Sequence, residues 1–370
     1  MSFEDLTRPC VRTITPYFPG KPIGEVQREL GIKRVVKLAS NESFLGPSPR
    51  ALRALRVHAR DNHYYPEGAS PLLRRAIDEE AGVLPSQVLI GNGSDEVIRL
   101  LCETFLSPED EVVVSQCGFI RFKQQASLMG AKIIEVPMTD WTHDLETMAR
   151  AASTRTKMMF VASPNNPTGT YNSRSEVAGL LKSLSARTIL VVDEAYYQYA
   201  AERPDYHKNL PEWISKHPNL VLLRTFSKAY GLAGLRVGFG IADMEIISWL
   251  DRVRMPFNVG LLAQRAALEA LKDRAFVRRG VGAVMKNRER LAAQLRGLGF
   301  GVVDSAANFI LVQCPGAGHA VFQALLRRGV IVRPLDEYGL RGHVRISVGS
   351  SVQNAWLLAA LKSALPEVTG

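Results

Sequence analysis

Cysteine is scarce in this chain of 370 residues. Cys10, Cys102, Cys117 and Cys314 lie far apart and form no C-x-x-C pair. With no signal-like apolar segment near Met1, that spacing argues against a disulfide framework and for free thiols in a reducing cytoplasm. Cys117 is expected to be a packed structural thiol. The seven histidines show no metal-ligand spacing, and His207 and His217, flanking a polar loop, are expected at the surface. No apolar run is long enough to span a bilayer. There is no internal repeat and no low-complexity tract. Acidic residues are outnumbered, 46 Lys plus Arg against 36 Asp plus Glu, which gives a formal net charge of +10. Those charges are spread along the chain rather than clustered with aromatics, which argues against nucleic-acid binding. A basic excess suits phosphorylated and dicarboxylate substrates, and a surface bias without a role fits equally well.

What the chain does have is an ordinary globular composition, 46% hydrophobic and 22% charged. Its length suits roughly two domains with extensive mutual contact. After an irregular amino-terminal arm, short apolar runs alternate with helical periodicity. The runs at 88–90, 111–114, 132–136, 158–162, 188–192, 220–223 and 236–241 read as strands, with helical periodicity between them, as at 176–184. Such alternation predicts an α/β fold, a mostly parallel seven-stranded sheet with helices on both faces. From 261 a long helical stretch runs through Leu298, followed by strands at 308–312, 330–333 and 344–348. This gives a large domain over 47–260 and a smaller α+β domain over 261–370, preceded by the arm, 1–46. A cleft between the two is the expected place for a site.

The most informative segment is Thr225-Phe226-Ser227-Lys228-Ala229-Tyr230-Gly231-Leu232-Ala233-Gly234-Leu235-Arg236, which follows the apolar run Leu220–Leu223. A lysine amine can form an imine with an aldehyde, and a nearby hydroxyl and guanidinium can hold a phosphate. Those are the two handles of pyridoxal 5'-phosphate. Upstream, Ile189-Leu190-Val191-Val192 reads as a strand buried on both faces and ends in Asp193, with Tyr196 three positions on. Ligand groups in open α/β sheets sit beyond the carboxyl ends of strands. Asp193 could therefore keep a pyridine nitrogen protonated, while Tyr196 bonds the ring's phenolic oxygen; capping of the next helix is the plain alternative. Met158 to Ala162 runs into Ser163-Pro164-Asn165-Asn166-Pro167-Thr168-Gly169, where Asn166 could face that same oxygen or merely turn the chain. Val88-Leu89-Ile90-Gly91-Asn92-Gly93-Ser94-Asp95 is a strand, a glycine turn and a helix start, a ready anion site. Its plain alternative is a helix capped by Ser94 or Asp95.

These residues resemble the fold type I pyridoxal-phosphate aminotransferases. The wording of Thr225 to Arg236 is most similar to histidinol-phosphate aminotransferases, as are Pro16-Tyr17-Phe18-Pro19-Gly20-Lys21-Pro22, Lys37 to Glu42, Tyr64-Tyr65-Pro66-Glu67-Gly68 and Val344 to Gly349. The resemblance covers nearly the whole chain from Pro16, and it implies that the arm, 1–46, joins the smaller domain. It implies pyridoxal phosphate as cofactor, Lys228 as the attachment lysine and proton shuttle, and Asp193 against the ring nitrogen, with Asn166 and Tyr196 on the ring oxygen. It implies Gly93, Ser94, Asp95, Ser227 and Arg236 around the phosphate, with Tyr65 reaching it from the other subunit of a homodimer. Tyr17 would line the distal end of the substrate and Arg345 would grip its anion. Asn41, Asn258 and Asn308 are further substrate-side candidates. The implied partners are a small-molecule amino donor and a 2-oxo acid.

Two departures concern the substrate. The ring-stacking position carries Phe119, and the next aromatic is Phe122, where tyrosines are usual. Stacking needs only a flat apolar face and survives; a hydroxyl that could touch substrate is lost. Glu42-Ser43-Phe44-Leu45-Gly46 replaces a more usual Asn-Pro-Leu-Gly wording. Transamination of histidinol phosphate with 2-oxoglutarate is the expectation. An aromatic amino-acid aminotransferase on the same scaffold is the alternative, and a phosphothreonine-type decarboxylase a more distant one.

Overall fold

The computed structural model describes residues 2–16 and 20–368. Seven strands form the main sheet. From one edge they are Val88–Gly91, Gly238–Ile241, Leu220–Thr225, Ile189–Asp193, Thr156–Ala162, Glu111–Ser115 and Lys132–Val136. All neighbours are parallel except Gly238–Ile241, which runs antiparallel to both of its partners. The expected strand at 236–241 starts two residues late because Arg236 takes a left-handed conformation, φ +55°.

The central strands are apolar throughout because both faces of the sheet are covered. Met159, Val161, Leu190, Val192, Leu220 and Leu222 join one core, while Met158, Phe160, Ile189, Val191, Val221 and Leu223 join the other. Alternate residues of each strand therefore feed opposite cores, the period-two rule of a pleated strand. Phe122 is 1% exposed and stacks on Phe160 at 4.6 Å, so it is a core residue rather than a substrate contact.

The helical stretch from 261 is two helices, Leu261–Lys272 and Arg274–Gly297, separated at Asp273, whose carboxylate caps the second by accepting from Phe276 N. Ala263, Ala266, Ala267, Ala270 and Leu271 of the first bury themselves in the large sheet's core. Beyond Asp273 a four-stranded antiparallel sheet orders Gly301–Val302, Phe309–Gln313, His343–Ser347 and Arg333–Pro334. The expected strand at 330–333 divides: Val330–Ile331 pairs instead with Val36–Lys37 of the amino-terminal arm. Among the described residues no helix is long and apolar enough to cross a membrane, and the four cysteines are free.

Candidate active site

The ends of three adjacent strands open into one cleft. Ala162, Asp193 and Thr225 close those strands and line it, together with Asn166, Tyr196, Ser227 and Lys228 from the following loops. Lys228 Nζ donates to the carbonyl of Ser40 at 3.2 Å. Burial, then the charge of Arg345, pushes its pKa down to about 8, against the opposing pull of Glu42 and Asp95. Roughly a tenth of such an amine is free at pH 7.

Asp193 is 4% exposed, and its Oδ1 accepts from Ala195 N at 2.9 Å. Burial pushes its pKa up to about 7; the Ala195 N–H pulls it down, Asp95 and Glu194 push further up, and Lys228 pulls down weakly. A cation set against this carboxyl would restore its ionised form, which is what a protonated pyridine nitrogen provides.

Arg345, 8% exposed, donates through Nη1 to Asn166 Oδ1 and through Nη2 to Ala39 O at 2.6 Å. A guanidinium only donates, so Asn166 spends its oxygen on Arg345 and keeps its amide N–H₂ for the cleft that it lines. Arg345 Nε is buried without a hydrogen-bond partner among the described residues. Asn41 holds the opposite wall in a left-handed conformation, φ +56°. Its Nδ2 donates to Tyr196 Oη at 2.9 Å, and its backbone N donates to Ser347 Oγ at 2.8 Å.

The helix Ser94–Phe105 starts at Gly93, which is the N-cap in place of Ser94 or Asp95, and no side chain caps it. Its first amides are thus left for an anion. Arg236 Nη1 donates to Ser227 Oγ at 3.2 Å, and Nη2 lies 3.5 Å from Asp95 Oδ2. A Cβ on Gly93, φ +74°, would fall 2.5 Å from Arg236 Nη2, and one on Gly238 only 2.3 Å from Ser94 N. The two glycines let guanidinium, hydroxyl and helix start converge. An aldehyde-reactive amine, a carboxylate needing a cation, a flat Phe119 face and an anion cradle together fit pyridoxal phosphate.

Several expectations are displaced. Asn258 Nδ2 donates to Ile90 O and Glu96 Oε2, at 3.1 and 2.6 Å, which ties it behind the helix start and outside the cleft lining. Asn308 is 1% exposed and donates to Asn41 O at 2.9 Å, supporting the wall rather than forming it. Tyr65, expected at the cleft of a second subunit, is 80% exposed and does not line the cleft of its own chain, in keeping with that expectation's geometry. Tyr17 lies outside the described residues. His207 is buried rather than at the surface, bonded through Nε2 to Ser163 Oγ at 2.8 Å. The sequence reading missed Arg333, Glu337 and Tyr338, which line the cleft. Arg333 opens a two-residue strand of the small antiparallel sheet, where the strand-end rule that picked out Asp193 does not apply, so no local signal singles it out.

A mostly parallel seven-stranded sheet with a lysine loop, a carboxylate strand end and a phosphate-type helix start is the fold type I transferase architecture. The sequence model described as "Aminotransferase class I and II" matches residues 33–361. Histidinol-phosphate aminotransferase of Anaeromyxobacter sp. is 46% identical over 96% of this chain and 98% of its own. Histidinol-phosphate aminotransferase 2 of Methylococcus capsulatus is 44% identical over 99% and 100%. The crystal structure of histidinol-phosphate aminotransferase from Sinorhizobium meliloti in complex with pyridoxal-5'-phosphate superposes with TM-score 0.89, at 27% identity, covering 98% of both chains. The chain belongs to the class I and II aminotransferases, and within them it is similar to the histidinol-phosphate aminotransferases.

Proposed function

We propose that this protein uses pyridoxal phosphate to move the amino group of histidinol phosphate onto 2-oxoglutarate, giving imidazole acetol phosphate and glutamate in histidine biosynthesis. The observation that carries the substrate reading is a pair of guanidiniums. Arg333 and Arg345 are directly opposed on neighbouring antiparallel strands, and both line the cleft with Lys228. Two fixed cations suit a phosphate dianion in one half-reaction and a dicarboxylate in the other. Arg333 rests on Glu337 Oε1 at 2.6 Å, a counter-ion that only a strongly charged group would compete with. An aromatic amino acid offers this pair only a single carboxylate monoanion, a weaker match than a phosphate dianion or a dicarboxylate.

Lys228 would hold the cofactor covalently, Asp193 would face its ring nitrogen, and Asn166 and Tyr196 its ring oxygen. Gly93, Ser94, Asp95, Ser227 and Arg236 would surround its phosphate, with Phe119 stacked on the ring. When bound, the cofactor supplies the electron sink that allows the substrate α-carbon to lose a proton. Lys228 Nζ takes that proton and returns it across the site, a task suited to an amine titrating near 8. Arg345 orients the substrate anion, and the cleft between the two parts of the chain excludes water as it closes. The large part extends through Lys272, since Leu261–Lys272 packs into its core, and the arm goes with the small part through the Val36–Lys37 pairing. The reading includes a homodimer with Tyr65 shared across subunits, and a cytoplasmic location consistent with four free thiols.

The test follows the bound chromophore as single amino donors are added. Histidinol phosphate should convert it at least about tenfold faster than phenylalanine at equal concentration, a difference of about 1.4 kcal/mol in barrier. Equal rates would overturn the substrate assignment. In the same assay Lys228→Ala should take up no borohydride-fixable cofactor.

A further inference from the structure

We infer that Glu194, Arg224 and His207 form a buried positioning unit that fixes, relative to one another, the three strand ends carrying Asn166, Asp193 and Lys228. The unit lies on the face of the sheet turned away from the cleft. Ala162, Asp193 and Thr225 line the cleft and their immediate neighbours Ser163, Glu194 and Arg224 do not; Arg224 follows Leu222 onto the opposite face of its strand from Leu223 and Thr225, as pleating requires. Each of those neighbours precedes or adjoins a residue of the site: Ser163 stands three before Asn166, Glu194 follows Asp193, and Arg224 stands four before Lys228.

Glu194 joins all three. Arg224 Nε donates to Glu194 Oε2 at 2.9 Å, and Arg224 Nη2 is equally close to the same oxygen. The other carboxylate oxygen, Oε1, lies 3.4 Å from His207 Nδ1, a polar approach without hydrogen-bond geometry. The far side of the imidazole, Nε2, meets Ser163 Oγ at 2.8 Å. Tyr206 Oη donates to Ser163 O at 2.7 Å, and Arg224 Cζ sits 3.8 Å above the Tyr197 ring. The backbone continues the link, Glu194 N to Leu223 O at 2.8 Å and Ser163 N to Asp193 O at 2.9 Å. The Glu194 and His207 side chains are wholly buried, and that of Arg224 is 9% exposed.

A buried ion pair is a costly way to gain stability, because desolvation offsets much of its attraction. Its distinctive property is direction: a guanidinium, a carboxylate and an imidazole tolerate few relative orientations. Burial would raise the Glu194 carboxyl, yet Arg224 and then His207 hold it below its ordinary value, so the pair is charged. The reaction needs Asn166, Asp193 and Lys228 placed to within a fraction of an ångström on one ring. A displacement of about 1 Å costs on the order of 100-fold in rate.

The inference rests on the pyridoxal-phosphate reading, and its test uses the holoenzyme. Three quantities are compared among the wild type, Glu194→Gln and the double variant Glu194→Gln/Arg224→Gln: cofactor dissociation constant, pH midpoint of the bound chromophore, and melting temperature. Glu194→Gln should weaken cofactor binding at least about tenfold and move the midpoint by roughly one pH unit. The double variant removes the stranded guanidinium, so it should recover melting temperature without recovering midpoint or affinity. A double variant with wild-type midpoint and affinity would show the cluster to be fold support alone and overturn the inference. If Glu194→Gln does not fold, Glu194→Asp keeps the charge and withdraws it by one methylene; an unchanged midpoint there is equally fatal. A wild-type protein that takes up no pyridoxal phosphate overturns the cofactor reading itself, a separate failure visible before any variant is made.

Discussion

Two side chains set the electrostatics of the cleft, and each has a measurable signature. Asp193 is raised from an ordinary 3.8 to about 7 chiefly by burial. Between about pH 4 and about pH 7 the unfolded chain releases a proton that the cofactor-free folded chain keeps. Folding then binds protons, so stability falls as pH rises through that window. Asp193→Asn removes this dependence. Cofactor-free, the two proteins should be equally stable near pH 4, and the variant should lead by roughly 4 kcal/mol at pH 8. Denaturant melts across pH decide it, and a constant difference would refute the assignment. Lys228 moves the opposite way, down to about 8, with Arg345 the leading charge responsible after burial. The rate of covalent cofactor attachment should therefore rise with pH and level off near 8 in the wild type. In Arg345→Ala the plateau should shift upward, toward the ordinary lysine value of 10.5. Stopped-flow absorbance reads it directly.

At the level of elements, the anion cradle proposed for the phosphate depends on a glycine that no other residue can replace without movement. Gly93 has φ +74° and ψ 166°, a region that side chains avoid at a cost of about 1–3 kcal/mol, and its missing Cβ is the space that Arg236 occupies. Gly93→Ala should raise the cofactor dissociation constant by about tenfold or more and lower the melting temperature by a few degrees. Unchanged cofactor affinity would place the phosphate elsewhere. The strand, glycine turn and helix start were legible because they follow one another within Val88 to Asp95. The central strands were legible for a related reason: burial on both faces leaves short, uninterrupted apolar runs. The less legible parts depend on distant partners. Val330–Ile331 leaves the Arg333–Pro334 line to pair with Val36–Lys37, nearly 300 residues earlier, and no local pattern announces that pairing. His207 was misread because its polar surroundings suggested solvent, whereas its partners, Glu194 and Ser163, arrive from two other strand ends. Asn258 looked like a site residue by wording, yet its amide is spent on Ile90 and Glu96.

At the scale of the whole molecule, Tyr65 poses a geometric problem that the proposed second copy would resolve. It is 80% exposed, beside Tyr64 at 67%, and it stacks on Phe257 with ring centroids 4.8 Å apart. Phe257 and Met255 are themselves 46% and 58% exposed, and Leu52 and Val57 on the helix Pro49–His58 add to the apolar surface of the large part. Large exposed apolar side chains in such number commonly mark a contact surface. In the proposed dimer that surface would meet its own copy about a two-fold axis and Tyr65 would enter the neighbouring cleft, so that each site takes Arg236 from one subunit and Tyr65 from the other. Tyr65→Ala and Arg236→Ala should then each impair activity as pure proteins. In a mixed dimer the chain with altered Tyr65 keeps its own Arg236 and receives an intact Tyr65 from its neighbour. One site of the hybrid is wild type and the other carries both defects. Random reassortment makes half the dimers hybrid, so the mixture should recover about a quarter of wild-type activity. Recovery no greater than the sum of the two parents, or full activity in a protein that sediments as a monomer, would mean that each cleft is complete within one chain.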